Sequence, residues 1–277
     1  MTAGERVPTT APIEPPLLSA EDARWGVVIG WASRPEPLVQ VDADAELRVA
    51  SVAKLLLLAA CASAIESGEL DPRQQLDRRT VPPVADSGIW QHLEQQTLSV
   101  HDVATLIGIA SDNLATNVLL ETLRLDRVRA DAATLGIHGV QLHDRVRDER
   151  TPDHPATLGT ATARGLFELM RRIATGTLGT AGVSARVRGW LTNSVDLSMV
   201  ASAFHLDPLA HGSDPAAATL CNKTGTDAGV RADAGFVDTA KGTLVYCAVA
   251  TWPERADIVD AVMRDMRALG ERVRSLT

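Results

Sequence analysis

A serine and a lysine three residues apart, Ser51 and Lys54, stand where an irregular segment turns into a long apolar one. In a helical turn this spacing places the hydroxyl and the ammonium group on one face. A serine hydroxyl becomes a strong nucleophile only when a neighbour accepts its proton, and a lysine can do so once burial or another cation lowers its pKa. Taken alone, the pair is explained more simply as a helix cap followed by a solvated lysine.

Two further short motifs follow along the chain. Ser111-Asp112-Asn113 lies between two predicted helices, where it could equally be an ordinary N-cap triplet. Lys223-Thr224-Gly225, followed by Thr226, lies on a predicted strand that could simply end in a turn there. In a binding role, Gly225 would leave room for a substrate backbone along the strand edge, and Lys223 would offer a charge. Because the three motifs use two of only three lysines among 27 basic residues, we interpret them as parts of one site.

The segments that must position these motifs are strands at both ends of the chain and helices between them. Strands are predicted at 25–31, 37–41, 218–223, 229–237 and 243–252. Helices are predicted at 54–67, 113–125, 126–135 and 160–175, with others beginning at Ser99 and at Pro253. The pattern predicts a two-lobed fold, with an α/β lobe of about 21–50 plus 215–277 and an inserted helical lobe of about 51–214. The cleft between the lobes is the expected ligand site.

The order S-x-x-K, S-D-N, K-T-G resembles the penicillin-recognising serine enzymes, and class A β-lactamases in particular. Asn117 within SDNLATN and the run Arg231–Gly235 add to the resemblance, which extends from about Trp25 to the C-terminal helix. It implies the β-lactamase/transpeptidase-like fold, an antiparallel sheet flanked by terminal helices with an inserted helical lobe.

The resemblance also implies roles for individual residues. Ser51 would form an acyl-enzyme, Lys54 would accept or relay its proton, and Ser111, helped by Lys223, would pass a proton to the leaving nitrogen. Asn113 would bond the substrate amide. A substrate carboxylate would be held by Thr224, Thr226 and Arg231, whose guanidinium suits a bidentate grip. The backbone N–H groups of Ser51 and Thr226 would form the oxyanion hole.

Hydrolysis of the acyl-enzyme needs a base, which class A β-lactamases supply from a loop of the form R-x-E-x-x-L-N. The matching stretch here is DRVRDERTPD, residues 144–153. Alignment on Arg147 makes Glu149 the base, with Asp153 where asparagine is expected. Alignment on Arg145 puts Arg147 at the glutamate position and leaves no base, in which case Glu149 is an exposed loop charge. Trp90 is predicted either as an aromatic wall of the cleft or as core.

Composition excludes several other function classes. A net charge of −8 and 3% aromatic residues disfavour a nucleic-acid binder, and the scattered histidines and cysteines disfavour a metal site. We therefore expect no cofactor, three buried thiols, no membrane span and a monomer. Residues 1–20 form a Pro-rich segment without the apolar core of a signal peptide, which favours a cytoplasmic protein unless a leader has been removed.

Three functions remain open at this stage. The first is a class A-type serine hydrolase that opens a β-lactam or related cyclic amide through acyl-Ser51. The second is an intracellular esterase, amidase or acyl-transfer enzyme on the same scaffold. The third is a ligand-binding protein without catalysis, which the complete motifs disfavour. In each case the expected partner is a small molecule that carries a carboxylate together with an amide or ester.

Overall fold

Five antiparallel strands form the main sheet, and both ends of the chain contribute to it, as the strand pattern predicts. The computed structural model describes residues 12–210 and 219–277. The strands are β1 (Arg24–Trp31), β2 (Val39–Val41), β3 (Leu47–Arg48), β4 (Gln75–Asp77), β5 (Thr97–Ser99), β6 (Val140–Leu142), β7 (Gly159–Ala161), β8 (Thr219–Asp227), β9 (Val230–Thr239) and β10 (Gly242–Thr251). The main sheet has the order β2-β1-β10-β9-β8, so β8 lies at one edge. Two small sheets, β3-β7-β6 and β4-β5, accompany it.

The helices fill the middle of the chain and its C-terminal end. They are α1 (Lys54–Glu66), α2 (Val100–Ala110), α3 (Asn113–Leu123), α4 (Leu125–Thr134), α5 (Ala163–Thr175), α6 (Ala181–Leu191) and α7 (Val259–Leu276). The predicted helices therefore exist, but α6 was not predicted, and the last helix begins six residues after Pro253. Residue 160, assigned to a helix from the sequence, lies in β7, because the side chain of Thr162 caps α5 by accepting from the Gly165 N–H.

Alternation along β1 and β10 divides the apolar core between the two faces of the sheet. Val28 faces the helical lobe, whereas Val27 and Ile29 face the other way, towards α7. On β10 the same alternation places Val245 in the first cluster and Tyr246 in the second. Each strand thus buries both of its faces, which is why β1 and β10 are almost continuously apolar.

Helix α1 is the centre of the helical lobe. Eleven of its thirteen residues are buried, so the helix has no polar face, in agreement with its Ala/Leu-rich sequence. Glu66 is its last residue, and Gly68 follows in the left-handed conformation with φ of 77°. Since α1 is packed on all sides, its first turn provides a rigid base for whatever projects from it.

Outside the main elements, two predictions from composition can be compared with the structure. Cys61, Cys221 and Cys247 are free and buried, which confirms the prediction of buried thiols. Burial raises the pKa of Cys61 to about 12, so its thiol is protonated and inert at neutral pH. Among residues 12–210 and 219–277, no helix is both long and apolar enough to cross a membrane.

The Pro-rich N-terminal segment is anchored to the domain from Ile13 onwards, while residues 1–11 lie outside the described part. The Ile13 N–H donates to the Leu38 carbonyl at 2.7 Å. Ser19 and Ala20 donate their backbone N–H groups to the carboxylate of Asp265 on α7, at 2.8 and 2.9 Å. This segment therefore connects the residue before β2, Leu38, with the C-terminal helix α7.

Candidate active site

The three sequence motifs meet at one cleft between the lobes. Its volume is about 340 Å³, and its walls come from segments 87–89, 108–111 and 194–196 together with Ser51, Lys223, Thr224 and Thr226. Ser51 lies in a single 3₁₀ turn, Ala50–Ala53, that leads directly into α1. Ser111 ends α2 in the left-handed conformation, and Lys223 lies on the edge strand β8. The cleft is thus built from the ends of elements that the sequence places far apart.

Lys54 is fully buried behind the cleft and has two strong acceptors. Its Nζ donates to the Ser111 carbonyl at 2.6 Å and to Asn113 Oδ1 at 2.8 Å, and it lies 3.4 Å from Ser111 Oγ. Burial lowers its pKa well below the usual value, and the positive charge of Lys223 lowers it further. A neutral amine has two N–H donors and one lone pair. In the neutral form, which a lowered pKa favours, the two acceptors would use both donors and leave the lone pair to accept a proton from a hydroxyl.

Lys223 approaches the same serine from the other lobe. Its Nζ donates to Ser111 Oγ and to the Thr224 carbonyl, both at 2.8 Å. Burial lowers the pKa of Lys223 to about 8, although the nearby carboxylates of Asp196 and Asp233 oppose the change. At neutral pH this lysine is therefore mostly protonated, and it can stabilise negative charge or supply a proton through Ser111.

Asn113 holds Lys54 instead of facing the cleft. Its Oδ1 accepts from Lys54, its Nδ2 donates to the Ala85 carbonyl at 3.1 Å, and its side chain is buried. Both polar atoms are thus engaged within the protein. In this arrangement Asn113 positions the lysine, and its expected bond to the substrate amide, for which the Nδ2 has a second N–H, stays a prediction.

The middle residue of the same motif, Asp112, caps α3, as the N-cap alternative for this motif predicts, and it also holds a wall of the cleft. One carboxylate oxygen caps α3 by accepting from the Ala115 N–H at 2.8 Å. The other accepts from the N–H groups of Ile89 and Trp90, at 2.7 and 2.8 Å. Gly88 lies so close that a Cβ there would be 2.6 Å from the Asp112 Cγ. Asp112 therefore fixes the 87–89 wall of the cleft.

Trp90 does not form an aromatic wall of the cleft. Its side chain is completely buried in the core of the helical lobe, and its Nε1 donates to the Gln95 carbonyl at 2.8 Å. The neighbouring Ile89, 42% exposed, lines the cleft in its place. The alternative interpretation, core packing, is thus the one observed, because the backbone bonds to Asp112 turn residue 90 inward.

Gly225 makes room for protein and not for substrate. A Cβ at this position would lie 2.3 Å from the Val49 carbonyl oxygen and 3.1 Å from the Ser51 nitrogen. Strand β8 therefore packs directly on the turn that carries Ser51. The expectation that Gly225 leaves space for a substrate backbone is wrong: its missing side chain allows β8 and Ser51 to approach each other.

The edge position of β8 in the main sheet determines where the backbone N–H of Thr226 points. Asp227 and Val230 flank the two-residue turn that joins β8 to β9, so they form the hydrogen-bonded pair of that hairpin. Hydrogen-bonded and non-bonded pairs alternate, which makes Thr226 and Arg231 a non-bonded pair. The Thr226 N–H consequently points away from β9, and Thr226 lines the cleft together with Ser51.

Arg231 lies in a neighbouring cavity that shares Thr226 with the cleft. Its Nη1 donates to the carbonyls of Asp227 and Val230 at 3.1 and 2.7 Å, and its guanidinium lies 5.9 Å from the ring centre of Trp252. Burial lowers the pKa of Arg231, opposed by the charges of Asp196 and Asp227. The side chain is thus within electrostatic reach of the cleft but is also engaged by its own hairpin.

The loop expected to supply a deacylating base holds no carboxylate in the cleft. Glu149 is exposed and does not line the cleft, so the structure does not place it where a base for acyl-Ser51 is needed. The loop is fixed differently, by ion pairs at 2.7 Å from Asp144 to Arg147 and to Arg150. These bonds fold the loop back on itself and leave Glu149 towards solvent.

The residue of this loop that the helical lobe does hold is Val146. Asn117 on α3 accepts from its N–H at 2.9 Å and donates to its carbonyl at 3.0 Å. Asn117 lies one turn after Asn113, the partner of Lys54, so Val146 is bonded to the same face of α3 that holds Lys54. A valine side chain cannot accept a proton.

The comparisons with known proteins agree with this architecture. The model of the β-lactamase enzyme family matches residues 15–268. The chain belongs to this family. A comparison with curated protein sequences returns no match.

Solved structures of this family share its fold. The β-lactamase from Sphaerobacter thermophilus DSM 20745 superposes with a TM-score of 0.79 at 23% identity, covering 93% of this chain and 92% of that one. A mutant of PBP-A, solved as an acyl-enzyme complex with penicillin G, gives 0.73 at 21% identity over 92% and 91%. A β-lactamase from Xanthomonas campestris pv. campestris gives 0.75 at 19% identity over 92% of each chain. The two-lobed fold predicted from the motifs is thus confirmed.

Proposed function

We propose that this member of the β-lactamase family is a serine enzyme that forms an acyl-Ser51 intermediate rapidly and releases it slowly. The observation that carries the proposal is the buried Lys54, whose two acceptors, Ser111 and Asn113, leave its lone pair free for a hydroxyl proton. Ser51 would attack an ester or strained amide carbonyl while Lys54 takes its proton, directly or through Ser111 Oγ.

The second half of the acylation step follows from the Lys223–Ser111 contact. As the tetrahedral intermediate collapses, Ser111 would give its proton to the leaving nitrogen or oxygen and regain one from the Lys223 ammonium, 2.8 Å away. The carbonyl oxygen would be stabilised by the N–H groups of Ser51 and Thr226, where one donor is typically worth about 10² to 10³ in rate.

We propose slow release because the loop residue that is bonded to Asn117 on α3 is Val146, which has no carboxylate. Asn117 lies one turn after Asn113, the residue that holds Lys54. Without a carboxylate from this loop to activate water, the acyl group would persist until a stronger acceptor arrives. This favours an acyl-transfer enzyme or a slow esterase over an efficient β-lactamase. A chain of the same fold, a mutant of PBP-A, has been solved as an acyl-enzyme complex with penicillin G, which supports the acylation step of the proposal.

The experiment combines intact mass and kinetics. The protein is incubated with benzylpenicillin and with a chromogenic cephalosporin, and both the adduct mass and the product are followed with time. A stoichiometric burst followed by slow turnover supports the proposal, provided that Ser51→Ala abolishes the adduct. The matched control is Ser67→Ala, at the far end of α1, where the hydroxyl donates to Ala64 and is exposed.

Two outcomes would contradict this function. Steady turnover without a burst would indicate an efficient β-lactamase and therefore a deacylating base that we have not assigned. A folded protein that forms no adduct and no product with these compounds or with simple activated esters would favour the binding protein without catalysis.

A further inference from the structure

Asp196 places a carboxylate inside the serine cleft that none of the sequence motifs includes. Its side chain is half-buried and lines the same space as Ser51, Ser111 and Lys223. It enters from the segment after α6, a helix that the sequence pattern did not predict. A carboxylate at this position bears directly on which substrates the cleft can accept.

The segment around Asp196 is fastened on both sides of the cleft. The Val195 N–H donates to the Ile109 carbonyl of α2 at 2.9 Å. The Asp196 carbonyl accepts from Asn222 Nδ2 of β8 at 3.1 Å. The carboxylate itself is oriented by Ser198, whose Oγ and N–H donate to Oδ1 at 2.7 and 3.1 Å. The charge is therefore held in one place.

Asp196 is ionised at neutral pH and acts on the cations of the site. Burial would raise its pKa, but interactions with the hydroxyls of Ser198 and Thr224 and with the Lys223 charge outweigh burial, so the pKa is lowered. The same carboxylate favours the charged forms of Lys223 and Arg231. Lys223 and Arg231, the cations expected to bind a substrate carboxylate, thus already interact with the carboxylate of Asp196.

The formal charges that line the cleft and the adjoining cavity are more often negative than positive. Among the described residues, the cations are Lys223, Arg231 and Arg255, and the carboxylates are those of Asp86, Asp196, Asp227, Glu254 and Asp257. Three positive charges are therefore outnumbered by five negative ones before any substrate enters. A substrate carboxylate would meet like charge in a partly desolvated cleft, where such repulsion is strong.

We propose that Asp196 makes the cleft select against acyl donors with a carboxylate next to the leaving atom of the scissile bond, so that the preferred donor is an ester or amide that is uncharged at that position. This inference rests on the proposed acylation of Ser51. It replaces the expectation of a carboxylated substrate with a neutral one.

The test uses one pair of compounds that differ only in this charge, benzylpenicillin and its methyl ester. The second-order rate constant for Ser51 acylation is measured for each by intact mass at neutral pH. We expect the wild-type protein to react about tenfold faster with the ester. In Asp196→Asn, which keeps the shape of the side chain, the ratio should move about tenfold towards the free acid.

Glu149→Gln is the control for net charge, since it removes one carboxylate outside the cleft, and it should leave the ratio unchanged. A wild-type preference for the free acid, or a ratio that Asp196→Asn moves by less than twofold, would overturn the inference. The wild-type ratio decides by itself if Asp196→Asn does not fold. If neither compound labels folded protein, the proposed function fails; if both label it equally, only the selectivity fails.

Discussion

Lys223 Nζ and Ser111 Oγ are 2.8 Å apart and join the two lobes across the cleft, one from the edge strand and the other from the end of α2. The contact links a titratable group, with a pKa of about 8, to the hydroxyl that also faces Lys54. Protonation of Lys223 is therefore coupled to the proton route of the proposed reaction.

The first prediction concerns the alkaline limb of the pH profile. We expect the acylation rate constant to fall above about pH 8, as Lys223 loses the proton that Ser111 would relay. In Lys223→Arg the guanidinium stays charged, so this limb should disappear, even if the rate constant itself is reduced. The rate constant is measured from pH 6 to 10 with an activated ester. An alkaline limb that persists at the same pH in Lys223→Arg would contradict the assignment.

The second prediction concerns stability. Lys223 has a folded-state pKa of about 8 and an ordinary value of 10.5, so between these pH values the unfolded chain binds more protons than the folded one. Its ionisation therefore destabilises the fold below pH 8, and this destabilisation is relieved between pH 8 and 10.5. The unfolding free energy of the wild type should accordingly rise by about 3 kcal/mol relative to that of Lys223→Met over this range. Urea unfolding at each pH measures it.

That difference isolates Lys223 from the buried cysteines, whose raised pKa values act in the opposite direction above pH 9. A constant difference between Lys223→Met and wild type from pH 8 to 10.5 would show that the lysine titrates normally.

The third prediction concerns the missing base. Val146→Glu places a carboxylate on the loop residue that Asn117 holds, so deacylation should become about 10²-fold faster, the lower end of the range for general base catalysis. Glu149→Gln should change nothing, since Glu149 is exposed. Decay of the penicilloyl adduct, followed by mass, measures both. A slower decay in Glu149→Gln would restore Glu149 as the base.

The fourth prediction concerns Gly225. An alanine Cβ there would collide with the backbone oxygen of Val49 at 2.3 Å, and no rotamer can relieve a contact between backbone atoms. We expect Gly225→Ala to cost about 1 to 3 kcal/mol of stability and to reduce acylation more than a hundredfold by displacing Ser51. Thermal unfolding and adduct formation measure the two effects.

The control for Gly225→Ala is Gly189→Ala on α6, where nothing lies within 4 Å of the added methyl group. A helix interior favours alanine over glycine by up to about 1 kcal/mol, so this variant should be neutral or slightly stabilised. Equal acylation rates in Gly225→Ala and Gly189→Ala would show that β8 does not hold the Ser51 turn.

Much of the fold was predictable because its signals are local. The apolar run of α1, the strands around Trp25 and the hairpins near the C-terminus are recorded in short-range patterns of hydrophobicity and turn residues. The Ser99 cap is of this kind too: its side chain accepts from the Asp102 N–H, as the S-x-x-D spacing predicts. The last helix begins at Val259 and not at Pro253 as predicted, because a proline permits a helix start without requiring one.

The four residues Ser51, Lys54, Ser111 and Lys223 could likewise be named from their types and order, since catalysis constrains residue identity. The roles of the neighbouring residues could not be predicted in the same way. Trp90 turns inward because Asp112 holds its backbone, and Glu149 faces solvent because two arginines close its loop on Asp144. Both outcomes depend on hydrogen bonds and ion pairs that form only when the chain folds, and a short sequence pattern does not reveal them.

The sequence by itself therefore determined the lobes, the order of the motifs and the candidate nucleophile. Only the tertiary structure decided that Gly225 serves the Ser51 turn, that Val146 occupies the loop position held by Asn117, and that Asp196 enters the cleft. The physical reason is that hydrophobic periodicity and capping act over a few residues, whereas the charge balance of a cleft is set by side chains that folding brings together from distant parts of the chain.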